Sequence, residues 1–165
     1  QNLQISSNSL RTFSLFRFRS GISDQNLNNE NVRKEFEEIC RFWLEKGVAG
    51  FRLDAVKEFV SGDTEANVEI LTWFNDMVKG ISPDAYLVGE AWLPQTEYAQ
   101  YYASGIDSFF DFSFADSTGN IQKFVSGQKA ASDYSAFVAR GEQRFADQNE
   151  HYINPPFYSN QDMDR

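Results

Sequence analysis

The chain has 165 residues, 41% apolar and 24% charged, which suits one ordinary globular domain. Lys and Arg total 15 against 24 Asp and Glu, a net charge of -9, which argues against nucleic acid and anionic membrane surfaces as partners. With one cysteine (Cys40), one histidine (His151) and no apolar run near the ~18 residues of a membrane span, an intrachain disulfide, a thiolate zinc centre, a multi-imidazole mechanism and a spanning helix are excluded.

Gln1–Ser20 passes from a polar stretch into Phe13, Phe16 and Phe18, interleaved with Arg11, Arg17 and Arg19. It reads as a loop or insertion tail, with a short strand through Phe16 and Phe18 as the other reading. The chain does not begin with Met and shows no signal peptide, so it reads as processed or as a piece of something longer. Its compartment stays open between extracellular and cytoplasmic.

Asn31–Lys46 predicts a helix: Val32, Phe36, Ile39, Cys40, Trp43 and Leu44 fall on one face, Asn31 can cap the start and Gly47 can stop the end. Val48–Ala55 follows as a short strand. The next helix spans Thr64–Lys79, with Val68, Leu71, Phe74 and Val78 inward and Gly80 after it. Pro83 clears the way for a second buried strand, Ala85–Glu90. A third apolar run, Ser108–Phe114, holds four phenylalanines in seven residues. Helical segments follow at Asn120–Ser126 and Asp133–Asp147, and Pro156–Ser159 is the last strand candidate. Alternation of this kind predicts an α/β fold with a parallel sheet.

In parallel sheets the chemistry gathers at the carboxyl ends of the strands. Three such ends here present Asp54, Glu90 and Asp162. Asp54 and Glu90 stand 36 positions apart, the length of one strand-helix-strand unit. Arg52 shares a strand face with Asp54 and would keep it ionised, as a nucleophile requires. Glu90 follows Tyr86, Leu87 and Val88 and precedes Trp92, a drier setting that should raise its pKa and keep it protonated. A retaining glycosidase needs this division of labour. One carboxylate alone at a strand end is more often a cap or a solvated group. Pattern by itself leaves an enzyme and an acidic α/β binding domain on equal footing.

The motifs around these residues are distinctive. Gly50-Phe51-Arg52-Leu53-Asp54-Ala55-Val56-Lys57 resembles the nucleophile motif of the α-amylase family, glycoside hydrolase family 13. Val88-Gly89-Glu90-Ala91-Trp92 resembles its acid/base motif, and Pro156–Arg165 is similar to its last motif, with the transition-state-stabilising Asp at Asp162. Gly21–Leu27, containing Asp24, sits where the family has a short motif near the end of an inserted B domain.

The resemblance implies a partial (β/α)8 TIM barrel, about strands four to seven, over residues 31–165, with residues 1–30 as the tail of a B-type domain or a loop. A whole barrel needs ~250 residues, so the chain is expected to be a fragment, inactive alone. The implied substrate is an α-glucan oligosaccharide or polysaccharide. The implied roles are Asp54 as nucleophile, Glu90 as general acid and then base, Asp162 as stabiliser and Arg52 as orienter of Asp54. Lys57 and Trp92 would line the acceptor side.

Departures from the family pattern carry expectations too. Gln161 stands where the family usually has His, which predicts weaker substrate binding and altered preference with catalysis retained. Glu58 replaces a frequent His beside Lys57 and can pair with it. Gln25 and the missing Met-Pro or Gln-Pro start blur assignment to a subfamily. The resemblance also admits a non-enzymatic scaffold, as in relatives associated with amino-acid transporters. Those tend to lose the carboxylates, whereas this chain keeps all three. A degenerate or truncated gene product is the third reading.

No cofactor is implied with certainty. Family members often bind calcium between B domain and barrel, which makes calcium a candidate for the intact protein. Asp24, Asn26, Asn28 and Glu35 match a calcium loop only weakly, because Asn29 stands where such a loop needs Gly. Trp43, Phe74 and Phe36 are expected in the core, His151 on the surface, and Cys40 buried in its helix, while Tyr98, Tyr101 and Tyr102, in the loop after Glu90, are the better candidates for sugar contact.

Overall fold

A computed structural model describes residues 25–115 and 119–163. The phenylalanines and arginines before Ser20, the Gly21–Asp24 part of the B-domain motif, and Asp164 and Arg165 lie outside the described residues.

Helix α1 (Glu30–Glu45) is capped by Asn29, whose side chain accepts from the Asn31 backbone N–H. The cap is therefore two residues earlier than expected, because Asn29 keeps the extended backbone that a cap needs. Phe36, Cys40 and Leu44, one turn apart, dock α1 on the core. Ile39 and Trp43 lie on the side of the stripe beyond that contact, so Trp43 is 47% exposed and is not a core residue. Burial pushes the Cys40 thiol up to about 11, which leaves it unreactive near neutrality.

Strand β1 (Gly50–Leu53) leads through a 3₁₀ turn at Val56–Glu58 into α2 (Thr64–Ile81). Helix α2 is capped by Asp63, runs through Gly80, and ends at Ser82, where Pro83 disfavours further helix. It buries Leu71, Phe74 and Val78 as its periodicity requires. Strand β2 (Tyr86–Gly89), the short α3 (Gln95–Tyr98), a 3₁₀ segment at Ala99–Ser104 and β3 (Ser108–Phe109) follow. The three strands form a parallel sheet in the order β1-β2-β3. Then come a 3₁₀ turn at Phe112–Phe114, α4 (Asn120–Val125) and α5 (Ala131–Ala146). Asp133 is the third residue of α5 rather than its start, and reaches back to the Ala130 backbone N–H.

Two expected strands are shorter than the apolar runs suggest. The Ser108–Phe114 run stops pairing after Phe109, because the Asp111 side chain accepts from the Ser113 backbone N–H and folds the chain into a turn. Pro156–Ser159 forms no strand. Its region contributes only isolated parallel bridges, Ser108 to Ile153 and Asp111 to Pro156. Consecutive prolines at 155 and 156 remove the donors a ladder would need.

The core lies between the sheet and the helices, centred on Leu71, Val78, Leu87, Ile106, Phe109 and Phe145. Gly89 lets it close: a Cβ there would come 2.5 Å from the Phe109 ring. Gly50 lets β1 approach β2, since its Cβ would lie 1.8 Å from the Tyr86 carbonyl oxygen. Among the described residues no helix is long and apolar enough to cross a membrane.

Candidate active site

Leu53 pairs with Gly89 at the end of β1 and β2. One step further, the Glu90 N–H donates to the Leu53 carbonyl at 2.8 Å, and its carbonyl accepts from the Val56 N–H at 2.9 Å. These two bonds bracket Asp54, so Asp54 and Glu90 are direct cross-strand neighbours. The turn that brings Val56 back is sharp. Ala55 adopts φ 46°, ψ 44°, a left-handed conformation costing a non-glycine residue about 1–2 kcal/mol.

Arg52 points to the same face as Asp54, as strand alternation requires. Its Nη1 donates to Asp54 Oδ1 at 2.6 Å, while its Nη2 donates to Glu90 Oε2. The guanidinium thus spans both carboxylates rather than serving Asp54 alone. Glu90 is 8% exposed, whereas Asp54 opens to solvent. Burial raises the Glu90 pKa, and the Asp54 carboxyl adds to the rise. The Arg52 charge opposes it, and Asp162 contributes a further small increase.

A cleft of about 410 Å³ collects Asp54, Lys57, Glu58, Glu90, Trp92 and Asp162. The larger cavity beside it, about 540 Å³, holds Asp54 alone of the three carboxylates and is lined mainly by apolar groups such as Leu27, Phe36 and Trp73. The three carboxylates therefore meet in the smaller cleft. Lys57 pairs with Glu58 at 3.5 Å, as the sequence led us to expect. Asp162 sits in an exposed turn closed by the Asn160 side chain, which accepts from the Asp162 N–H at 2.9 Å. Gln161 is exposed and donates to Asp162 Oδ2 at 2.7 Å.

Tyr98, Tyr101 and Tyr102 do not reach the cleft. All three are buried and pack around Phe109 and Phe145. Their hydroxyls find internal partners; Tyr102, for example, donates to the Ile153 carbonyl at 2.8 Å. They fill the core because the chain winds from α3, which ends at Tyr98, straight into the 3₁₀ segment Ala99–Ser104 that carries Tyr101 and Tyr102. Phe74 is buried, Phe36 packs on the core, and His151 is exposed, all as expected.

Sequence reasoning passed over Asn67. Its side chain accepts from the Val60 N–H and donates to the Lys57 and Val60 carbonyls, fixing the Lys57–Glu58 turn to α2. An asparagine on the inward side of a helical stripe was the available signal. Asn26 and Asn29 spend their side-chain oxygens on the backbone N–H groups of Asn28 and Asn31, and Glu35 lies within α1. The described part of the calcium-like pattern therefore does not fit a calcium loop, and Asp24 lies outside the described residues. Among the described residues no group of three or more His, Cys, Asp and Glu side chains could hold a metal ion.

A family model described as "Alpha amylase, catalytic domain" matches residues 6–165. Alpha-amylase 3 from Dictyoglomus thermophilum is 36% identical over 148 residues, 90% of this chain and 28% of that protein. Alpha-amylase SusG from Bacteroides thetaiotaomicron is 32% identical over 135 residues, 78% of this chain and 19% of that protein. Among solved structures, Eubacterium rectale Amy13B aligns with a TM-score of 0.85 at 40% identity, over 88% of this chain and 29% of that one. The chain thus spans less than a third of the length of each. The likeness implies a TIM-barrel fold, of which the described residues contain a partial parallel sheet and its helices.

Proposed function

The chain belongs to the α-amylase family, and from that premise we propose that it carries the catalytic centre of a retaining α-glucan glycoside hydrolase acting on starch-like or maltooligosaccharide α-glucosidic bonds. The observation that carries this reading is the cross-strand pair of Asp54, open and ion-paired, with Glu90, buried and raised in pKa. In the first step Asp54 attacks C1 while Glu90 gives its proton to the departing glycosidic oxygen. In the second Glu90, now ionised, takes a proton from water as the water oxygen bonds to C1 and the Asp54–C1 bond breaks. Two inversions leave the anomeric configuration unchanged.

Asp162 accepts from the sugar 2- and 3-hydroxyls and binds more strongly as the ring flattens. Arg52 orients Asp54, Lys57 and Trp92 meet the acceptor side, and Gln161 supports Asp162. In barrel terms β1, β2, β3 and the bridged Ile153–Pro156 stretch correspond to strands four to seven. Residues 1–30 are the tail of an inserted B-type domain or loop, and residues 31–165 belong to the barrel. Retention of all three carboxylates speaks against a non-enzymatic scaffold.

Proton NMR of maltooligosaccharide cleavage by the full-length protein should show α-configured product first, and an initial β-product would overturn the reading. The 165 residues alone are expected to be inactive, since among the described residues β1 has a neighbour on one side only. Robust turnover by the isolated segment would refute that part.

A further inference from the structure

An aromatic stack runs behind the cleft. Trp92 lines the cleft and is 47% exposed. One face of its indole lies on Phe112, with ring centroids 4.6 Å apart and planes 17° from parallel. Phe112 meets Phe157 edge to face at 5.0 Å, and Phe157 meets Phe110 in the same manner at 5.7 Å. The rings come from separate stretches of chain: after β2, after β3, and shortly before Asp162. The backbone bridge from Asp111 to Pro156 places Phe112 and Phe157 side by side.

Phe112 is nearly buried, so its ring is held on several sides. It is thus a fixed support, and Trp92 is the exposed member that it supports. Flat aromatic faces bind the apolar faces of sugar rings, and a ring locked in one rotamer does so with less entropy lost. The four-phenylalanine run of the sequence thus has two members, Phe110 and Phe112, in this stack beneath the cleft.

We propose that Phe112 is a specificity-determining positioning residue: by holding the Trp92 ring beside Glu90 it fixes a platform for the acceptor sugar and sets how the glycosyl intermediate is divided between water and sugar. This rests on the retaining-hydrolase reading. In the second step the Asp54–C1 bond breaks, an acceptor oxygen bonds to C1, and Glu90 takes the acceptor's proton. Water yields a free sugar, and a sugar hydroxyl yields a new glycosidic bond. The platform affects only the second route, because water needs no stacking surface.

The test measures the ratio of transfer to hydrolysis in the full-length protein with a maltooligosaccharide donor and added maltose. Phe112→Leu keeps an apolar filler but removes the flat support. It should lower the ratio about three- to tenfold, the scale of one aromatic contact, and Phe112→Tyr should restore it. Trp92→Leu should lower the ratio similarly, and Phe112→Leu should add little in that background. The Trp92 arm keeps the proposal open to refutation even where Phe112→Leu fails to fold. A ratio unmoved by Trp92→Leu, or equal additive losses from the two changes, overturns it. A wild-type protein that cleaves no α-glucan overturns the hydrolase reading as well, whereas cleavage with an insensitive ratio overturns the stack alone.

Discussion

Asp54 and Glu90 face each other across two parallel strands, bracketed by two backbone hydrogen bonds and touched by one guanidinium, that of Arg52. The pair is asymmetric in burial, and the proposed division into nucleophile and acid rests on that asymmetry. Glu90→Gln should slow cleavage of maltooligosaccharides by roughly 10²–10⁴-fold, the usual weight of general acid catalysis. It should slow formation of the glycosyl-enzyme far less when the leaving group is fluoride, which needs no proton. Asp54→Asn should abolish both reactions. Stopped-flow measurement with the two substrates checks the distinction, and equal losses for Glu90→Gln on both would deny Glu90 the acid role.

Glu90 also predicts a pH dependence. Its folded pKa lies above the ordinary carboxylate value, so the folded protein holds this proton to higher pH than the unfolded chain. Its contribution to stability is full below the unfolded pKa and is lost as pH rises through the raised folded value. Activity should fall over the same interval on the alkaline side, as the acid form disappears. Because the Asp54 carboxyl contributes to the rise, Asp54→Asn should let Glu90 titrate at lower pH. Carbon-13 NMR of labelled glutamate in the full-length protein reads that shift, and an unmoved titration would strike Asp54 from the causes of the rise.

Gln161 gives a third expectation. It donates a neutral hydrogen bond to Asp162 at 2.7 Å, where a protonated histidine would give a charge-assisted one roughly twice as strong. Gln161→His should lower KM for maltooligosaccharides several-fold, with a smaller effect on kcat. The gain should fade as pH rises past ~6.5, where the imidazole loses its charge. A KM series across pH checks it, and a pH-independent gain would point to shape rather than charge.

Much of this arrangement was legible in the residues, for identifiable reasons. The spacing of Asp54 and Glu90 foretold their opposition because parallel register from Gly50–Tyr86 onward adds no bulge between the strands. Helix α2 followed its stripe because Leu71, Phe74 and Val78 all meet one core. Tyr98, Tyr101 and Tyr102 misled, since a run of tyrosines after an acidic residue looks like a sugar-binding loop. Whether such a ring points in or out depends on the helical winding from Gln95 through Ser104, which side-chain chemistry does not reveal. Trp43 misled for the opposite reason: periodicity marks a stripe but not how much of it a neighbour covers. Arg52 was assigned to one carboxylate because its contact with Glu90 crosses from β1 to the end of β2.

The far end of the sheet should answer to stability and not to catalysis. Lys79 Nζ donates to both Asp107 oxygens at 2.9 Å and to the Ala85 carbonyl at 2.7 Å. Asp107 Oδ2 also accepts from the Leu87 N–H at 2.7 Å, and the Asp107 carbonyl accepts from the Ile153 N–H. This knot joins α2 to the starts of β2 and β3, at the strand ends opposite Asp54 and Glu90. Asp107→Ala would orphan the Leu87 N–H beside a buried side chain and leave Lys79 with only the Ala85 carbonyl, at a cost of about 1–3 kcal/mol. Lys79→Met should cost less, because its apolar stem still packs along the helix. Urea denaturation of the full-length single and double variants should show the two losses to be non-additive, as expected of groups in direct contact. Turnover per folded molecule should be unchanged in all of them. A fall in that quantity would mean that the two ends of the strands are mechanically linked, and the separation of stability from chemistry would have to be abandoned.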